Sequence, residues 1–115
     1  MVDASLSQTI LADRHLAYAL LDARLRVVAG QGPSDLLPPD SLGRSLFDLA
    51  PELIGLEPDI EAVLAGQRPR FTLDWVNRET PRGETIYVHL ILLPFHLNGA
   101  ANGQPNGLIH LVQDG

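Results

Sequence analysis

From residue 15 onward the apolar positions of the chain come in short runs, separated by clusters of Gly, Pro, Asn and Asp. The run His15 to Leu21 suits a buried strand, Asp22-Ala-Arg24 a tight turn, and Leu25 to Ala29 a returning strand, which together make a hairpin. Phe71, Leu73 and Trp75 alternate with Thr72, Asp74 and Val76, the period of a third strand with one face toward a core. Residues 77–84 read as a polar turn, Ile86 to Phe95 as a long fourth strand, 98–107 as a flexible hairpin connection, and Leu108 to Val112 as the last strand. Pro94 falls near the end of its strand, where losing one ladder donor is tolerable.

The segments between the second and third strands carry helix signals. Ser45 followed by Asp48 is a capping box, in which each side chain satisfies an orphan backbone donor. Pro51 ends or restarts that turn, and Gly55 allows a second break. A cleaner helix is predicted over 58–65, with Pro58 at its first position, Asp59 and Glu61 near its positive end and Gly66 as the stop. Before the first strand, Asp3 can cap a short helix over 3–13, with Leu6 and Ile10 on one stripe. The order predicts an α+β fold: a five-stranded antiparallel sheet with short helices on one face, preceded by the N-terminal helix. We divide the chain into residues 1–13, a capping and dimerisation helix, and residues 14–115, the domain.

Composition narrows the function classes. A chain of 115 residues makes one domain, and its net charge of −6 argues against nucleic acid and anionic membranes as partners. No apolar run approaches the ~20 residues of a membrane span, and no basic segment precedes an apolar one at the N-terminus, so a cytoplasmic protein is expected. With no Cys there is no thiol nucleophile and no disulfide, and with no Lys, all eight basic residues being Arg, there is no Schiff-base chemistry.

These elements, in this order, resemble the PAS family of sensory domains, as attached to bacterial histidine kinases and nucleotide cyclases. The resemblance is carried by the Leu21-Asp22 turn, by Leu42-Gly-Arg-Ser-Leu-Phe-Asp-Leu-Ala-Pro-Glu-Leu53 and by Val63-Leu-Ala-Gly66. It continues through Tyr87 and Pro94 to Gly107-Leu-Ile-His-Leu-Val-Gln-Asp114, and spans about Ala17 to Gly115. One departure is Gly30-Gln-Gly32, where many PAS domains carry an Asn after the second strand. The resemblance implies a pocket between the central helices and the concave sheet face, dimerisation through the convex face and the N-terminal helix, and an effector beyond Asp114.

It also implies that Val112 points inward, so that by the period-two rule Leu108, His110, Val88, Leu90 and Leu92 do too, while His89 faces outward with Tyr87 and Ile91. The expected ligand pocket is therefore lined by Val63, Leu73, Trp75, Leu90, Leu92 and His110, with Asn77 as a polar anchor, and suits a small apolar or planar molecule. Against this stand blander roles: His110 as a core histidine satisfied by one hydrogen bond, Trp75 as core filler, Asn77 as the start of a turn. Arg78 reads as a solvated turn residue, and Glu52 as a helix-start carboxylate. The dimer interface is expected at Leu6, Ile10, Ile91, Leu93, Ile109 and Leu111, an apolar set on the outer face. The missing Cys removes the family's covalent flavin, and the 58–65 helix lacks the His that haem-binding members use, so neither cofactor and no metal is expected. No catalytic residues are assigned, since no nucleophile stands with a base. The function implied is a sensory input module that binds a small ligand or relays a signal through homodimerisation. The alternatives are a ligand-free dimerisation adaptor and a small α+β lyase or isomerase with an apolar cavity.

Overall fold

The computed structural model describes residues 16–97 and 105–114. Five strands form one antiparallel sheet in the order β2-β1-β5-β4-β3: β1 (Leu16–Asp22), β2 (Val27–Gln31), β3 (Phe71–Glu79), β4 (Thr85–Phe95) and β5 (Gly107–Asp114). The helical segments fall between β2 and β3: α1 (Leu46–Leu49), a 3-10 turn (Pro51–Leu53) and α2 (Glu57–Leu64). The predicted α+β architecture is thus the one observed. The helix expected over 3–13, with Leu6 and Ile10, lies outside the described residues.

Local chemistry accounts for the helical segments. The Phe47 N–H donates to Ser45 Oγ at 3.2 Å and the Ser45 N–H to Asp48 Oδ2 at 3.4 Å, the reciprocal cap that the sequence called for. Pro51 opens the 3-10 turn, Pro58 sits in the first turn of α2, and Gly66, at φ 76°, ends it with its N–H on the Val63 carbonyl.

Alternation along β1, β4 and β5 builds the core in rows across the sheet. Ala17, Val112 and Leu90 make one row, and Ala19, His110 and Leu92 the next. Leu46, Leu53, Ile60 and Val63 from the helical segments close over them, all fully buried. Pro94 lies past Leu92, the last residue of β4 paired with β3, so its missing N–H removes no β3 bond.

Two expectations on the strands need correction. The second strand runs over Val27–Gln31 rather than Leu25–Ala29, because Leu25 adopts φ 62° and continues the turn from Asp22. The Arg24 and Arg26 N–H groups both donate to Asp22 Oδ1, which holds that longer turn. The third strand does not stop before residue 77 but runs on to Glu79, and its alternation breaks at a bulge.

Beyond β2 the chain crosses tightly over β1 at Gly32. Its φ is 148°, and a Cβ there would lie 2.2 Å from the Ala17 Cβ. Gly32→Ala is expected to destabilise the domain by more than ~1 kcal/mol, since the conformation and the space both exclude a side chain. A lower urea midpoint at unchanged slope is the predicted readout, and an unchanged midpoint would contradict it.

Candidate functional site

The site follows from the bulge in β3. Leu73 pairs with Leu90 and Val76 with Val88, so Asp74 and Trp75 together oppose the single residue His89. One extra residue inverts the parity of everything beyond it. Val76, Arg78 and Thr80 therefore point under the helices, while Asn77 is exposed.

Trp75 and Asn77 do not line the interior, contrary to expectation. Trp75 is 66 % exposed and its backbone sits at φ 59°, where a bulky side chain is strained. Its ring meets that of His89 edge-on at 4.7 Å, and His89 Nδ1 lies 2.9 Å from Asp74 Oδ1. Glycine tolerates this backbone freely, so Trp75→Gly is expected to leave stability unchanged within ~1 kcal/mol or to raise it. A loss of several kcal/mol, as core truncation of a Trp would give, would contradict this placement.

The other expected lining residues divide. Val63, Leu90, Leu92 and His110 are buried together in the continuous core, and Leu73 is half-buried beside it. They form the apolar floor under the helices; the planar-ligand wall that Trp75 was to supply is not there.

In its place the bulge brings Arg78 inward, a residue that the sequence places in a solvated turn. The Arg78 side chain is 17 % exposed and its Nη2 donates to Glu52 Oε1 at 3.0 Å, with Glu52 27 % exposed. Glu52 comes from the 3-10 turn, 26 residues away in sequence. The pair leaves the Arg78 Nε buried with no hydrogen-bond partner among the described residues.

His110, 1 % exposed, lies in the same interior, and its Nδ1 is likewise buried without a partner among the described residues. The hydrogen bond expected of a satisfied core histidine is not made at that atom. Burial, reinforced by the Arg78 charge, pushes the His110 pKa down to about 4, so the imidazole is neutral at physiological pH. Two buried nitrogens thus carry uncompensated hydrogen-bonding capacity, which ordinarily costs about 1–3 kcal/mol per group.

Arg78 also reaches a groove of about 440 Å³ at one end of the sheet. One wall is the segment Ser34, Asp35, Leu36, Pro38 and Pro39; the other is the end of β3 and the following turn, with Glu79, Thr80 and Pro81. Arg82 spans the rim to Asp35 at 3.5 Å. Thr80 braces the turn, accepting the Glu84 N–H on Oγ1 at 3.2 Å.

On the outer sheet face Ile91 stands opposite Leu111, and Leu93 opposite Ile109, with Tyr18 and Leu20 of β1 continuing the two rows. All six are half-buried. Leu6 and Ile10, the other expected interface residues, lie outside the described residues.

No protein-family model matches the chain, and no curated protein matches it in sequence. Its fold, however, recurs among solved structures. The PAS domain of a protein from Colwellia psychrerythraea superimposes with a TM-score of 0.69 at 14% identity, over 96% of this chain and 93% of that one. A sensory box sensor histidine kinase from Vibrio cholerae gives 0.62 at 18% identity, over 96% and 90%. VqmA of Vibrio cholerae, in a complex with ligand and DNA, gives 0.66 at 17% identity. That match covers 99% of this chain but 51% of VqmA, so the chain spans about half of that protein. The chain therefore has the PAS fold.

Proposed function

We propose that the chain is a non-catalytic sensory input module, that its signal is a small molecule bound at the Glu52–Arg78–His110 cluster, and that it passes the response on as a homodimer to an effector such as a histidine kinase or a nucleotide cyclase. The observation that carries this reading is the pair of partnerless buried nitrogens, Arg78 Nε and His110 Nδ1. Apolar side chains at both positions would serve a purely structural adaptor as well or better, since replacing buried polar pairs by apolar residues is often neutral or stabilising. The cost of leaving them unsatisfied is understandable where a ligand supplies the missing partners.

The PAS fold supports the signalling half of the proposal, because a sensor histidine kinase and a ligand-bound DNA-binding receptor contain the same fold. The paired outer-face rows of Ile91, Leu93, Ile109 and Leu111 support self-association, since a two-fold axis would bury one patch against its copy. Among the described residues, nothing around Arg78 and His110 pairs a nucleophile with a base, which favours binding over turnover.

Native mass spectrometry of the protein, purified gently from a bacterial lysate, reads both claims at once. The expected spectrum is a dimer carrying additional small-molecule mass that is lost on activation. A dimer with no added mass, before and after incubation with metabolite extract, would favour the ligand-free adaptor. A monomer would overturn the homodimer.

A further inference from the structure

We infer that the groove beside Arg78 selects uncharged ligands, a small planar molecule whose polar end is an amide-like hydrogen-bonding group, and that Glu52 sets this selectivity by cancelling the Arg78 charge. The inference rests on the ligand-binding reading above and deepens it.

Three observations carry it. First, the Arg78 guanidinium already has its counter-ion, Glu52 Oε1 at 3.0 Å, so a ligand carboxylate would enter as a second negative charge against one cation. Arg82 is likewise engaged by Asp35 across the rim at 3.5 Å, and Glu79 adds a further carboxylate to the groove wall. Burying an uncompensated charge is far costlier than burying a neutral polar group.

Second, the capacity still open is that of hydrogen bonds, not of charge. Arg78 Nε–H can only donate, so it requires an acceptor such as a carbonyl oxygen. An amidinium offers only N–H donors, so it leaves the Arg78 Nε–H unsatisfied. His110, neutral in this interior, adds no charge that an anion could use.

Third, the groove has the size and lining of a small-molecule site. Its volume of about 440 Å³ lies within the usual span of ligand pockets, and Leu36, Pro38, Pro39 and Pro81 offer apolar surface for a ring. An aryl amide would lay its ring on these residues and direct its carbonyl inward past the Arg78 side chain. A site with a buried donor in want of an acceptor discriminates strongly against analogues that cannot satisfy it.

An isosteric charge series tests this: benzamide, benzoate and benzamidine, with the three corresponding 2-naphthyl compounds, titrated at neutral pH and followed by NMR shifts of the backbone amides of residues 34–37 and 78–80. The wild-type protein is expected to bind the amide at least tenfold more tightly than the carboxylate or the amidine. In Glu52→Gln, where the guanidinium loses its counter-ion, the carboxylate should gain at least tenfold relative to the amide. A wild-type preference for either charged member, or an unchanged ratio in Glu52→Gln, would overturn the inference while leaving ligand binding intact. Failure of every member to perturb these amides would overturn it as well, and ligand mass seen on the wild-type protein by native spectrometry would then show that the broader reading survives. The wild-type comparison needs no variant, so it stands even if Glu52→Gln folds poorly.

Discussion

His110→Leu is expected to make the domain more stable and to flatten its response to acid. In the native core the imidazole is 1 % exposed and its Nδ1 has no partner among the described residues. Replacing it by an apolar side chain removes that desolvation penalty, for a gain of ~1 kcal/mol or more near neutral pH. The acid response follows from linkage. The folded pKa is about 4, below the ordinary value of 6.5, so between these values the unfolded chain binds more protons than the native one. Stability is therefore fully present above about pH 6.5 and is lost as pH falls toward 4. The slope approaches ~1.4 kcal/mol per pH unit, roughly 3 kcal/mol in all. Carboxylates contribute equally to both proteins, so the difference between wild type and variant isolates His110. Urea midpoints from pH 7.5 to 4.5 should diverge, with the variant less acid-sensitive. Parallel profiles would show that His110 titrates normally and is not buried neutral.

The second large effect concerns the Glu52–Arg78 pair. Glu52→Leu alone strands a guanidinium that is 17 % exposed, and is expected to cost ~2 kcal/mol, less than the 3–5 kcal/mol of a wholly buried pair because water still reaches both groups. Adding Arg78→Met should restore most of the loss, bringing the double variant within ~1 kcal/mol of wild type, since two apolar side chains then pack where two charges were desolvated. A double-mutant cycle on urea midpoints measures the coupling directly. Strict additivity of the two single losses would mean that the pair does not interact energetically. A double variant with intact stability and impaired ligand response would mark the pair as retained for function rather than for folding.

The parts of the fold that were legible in the sequence are those governed by neighbours in the chain. Ser45 and Asp48 form their cap within four residues, and Pro58 and Gly66 bracket α2 by backbone restriction alone. The inward set Val88, Leu90, Leu92, His110 and Val112 follows from uninterrupted alternation once one member is oriented.

The site was not legible because it depends on the bulge in β3. Bulges of this kind are commonly marked by Gly, and here the residue at φ 59° is Trp75, whose size argues for the core. One signal was present: Val76, apolar, fell on what unbroken alternation made the solvent face, with Thr72 and Asp74. Shifting parity between Leu73 and Val76 resolves that conflict and carries Arg78 inward with it. The partnership of Arg78 with Glu52 spans 26 residues and two elements, which no local pattern encodes. Leu25 failed for the same reason as Trp75, a left-handed backbone at a residue that seldom adopts it.

The most direct test of the account compares the wild-type protein with the Glu52→Leu/Arg78→Met double variant in thermal-shift titrations against one broad fragment library. A ligand that binds only the folded state raises the melting temperature by an amount that grows with the logarithm of its concentration relative to Kd. Fragments that stabilise the wild type by several degrees are expected to lose most of that shift in the double variant, whose unliganded melting temperature stays close to wild type. Equal shifts in both proteins, or no stabilising fragment for either, would contradict the assignment of the Glu52–Arg78–His110 cluster as the sensory site.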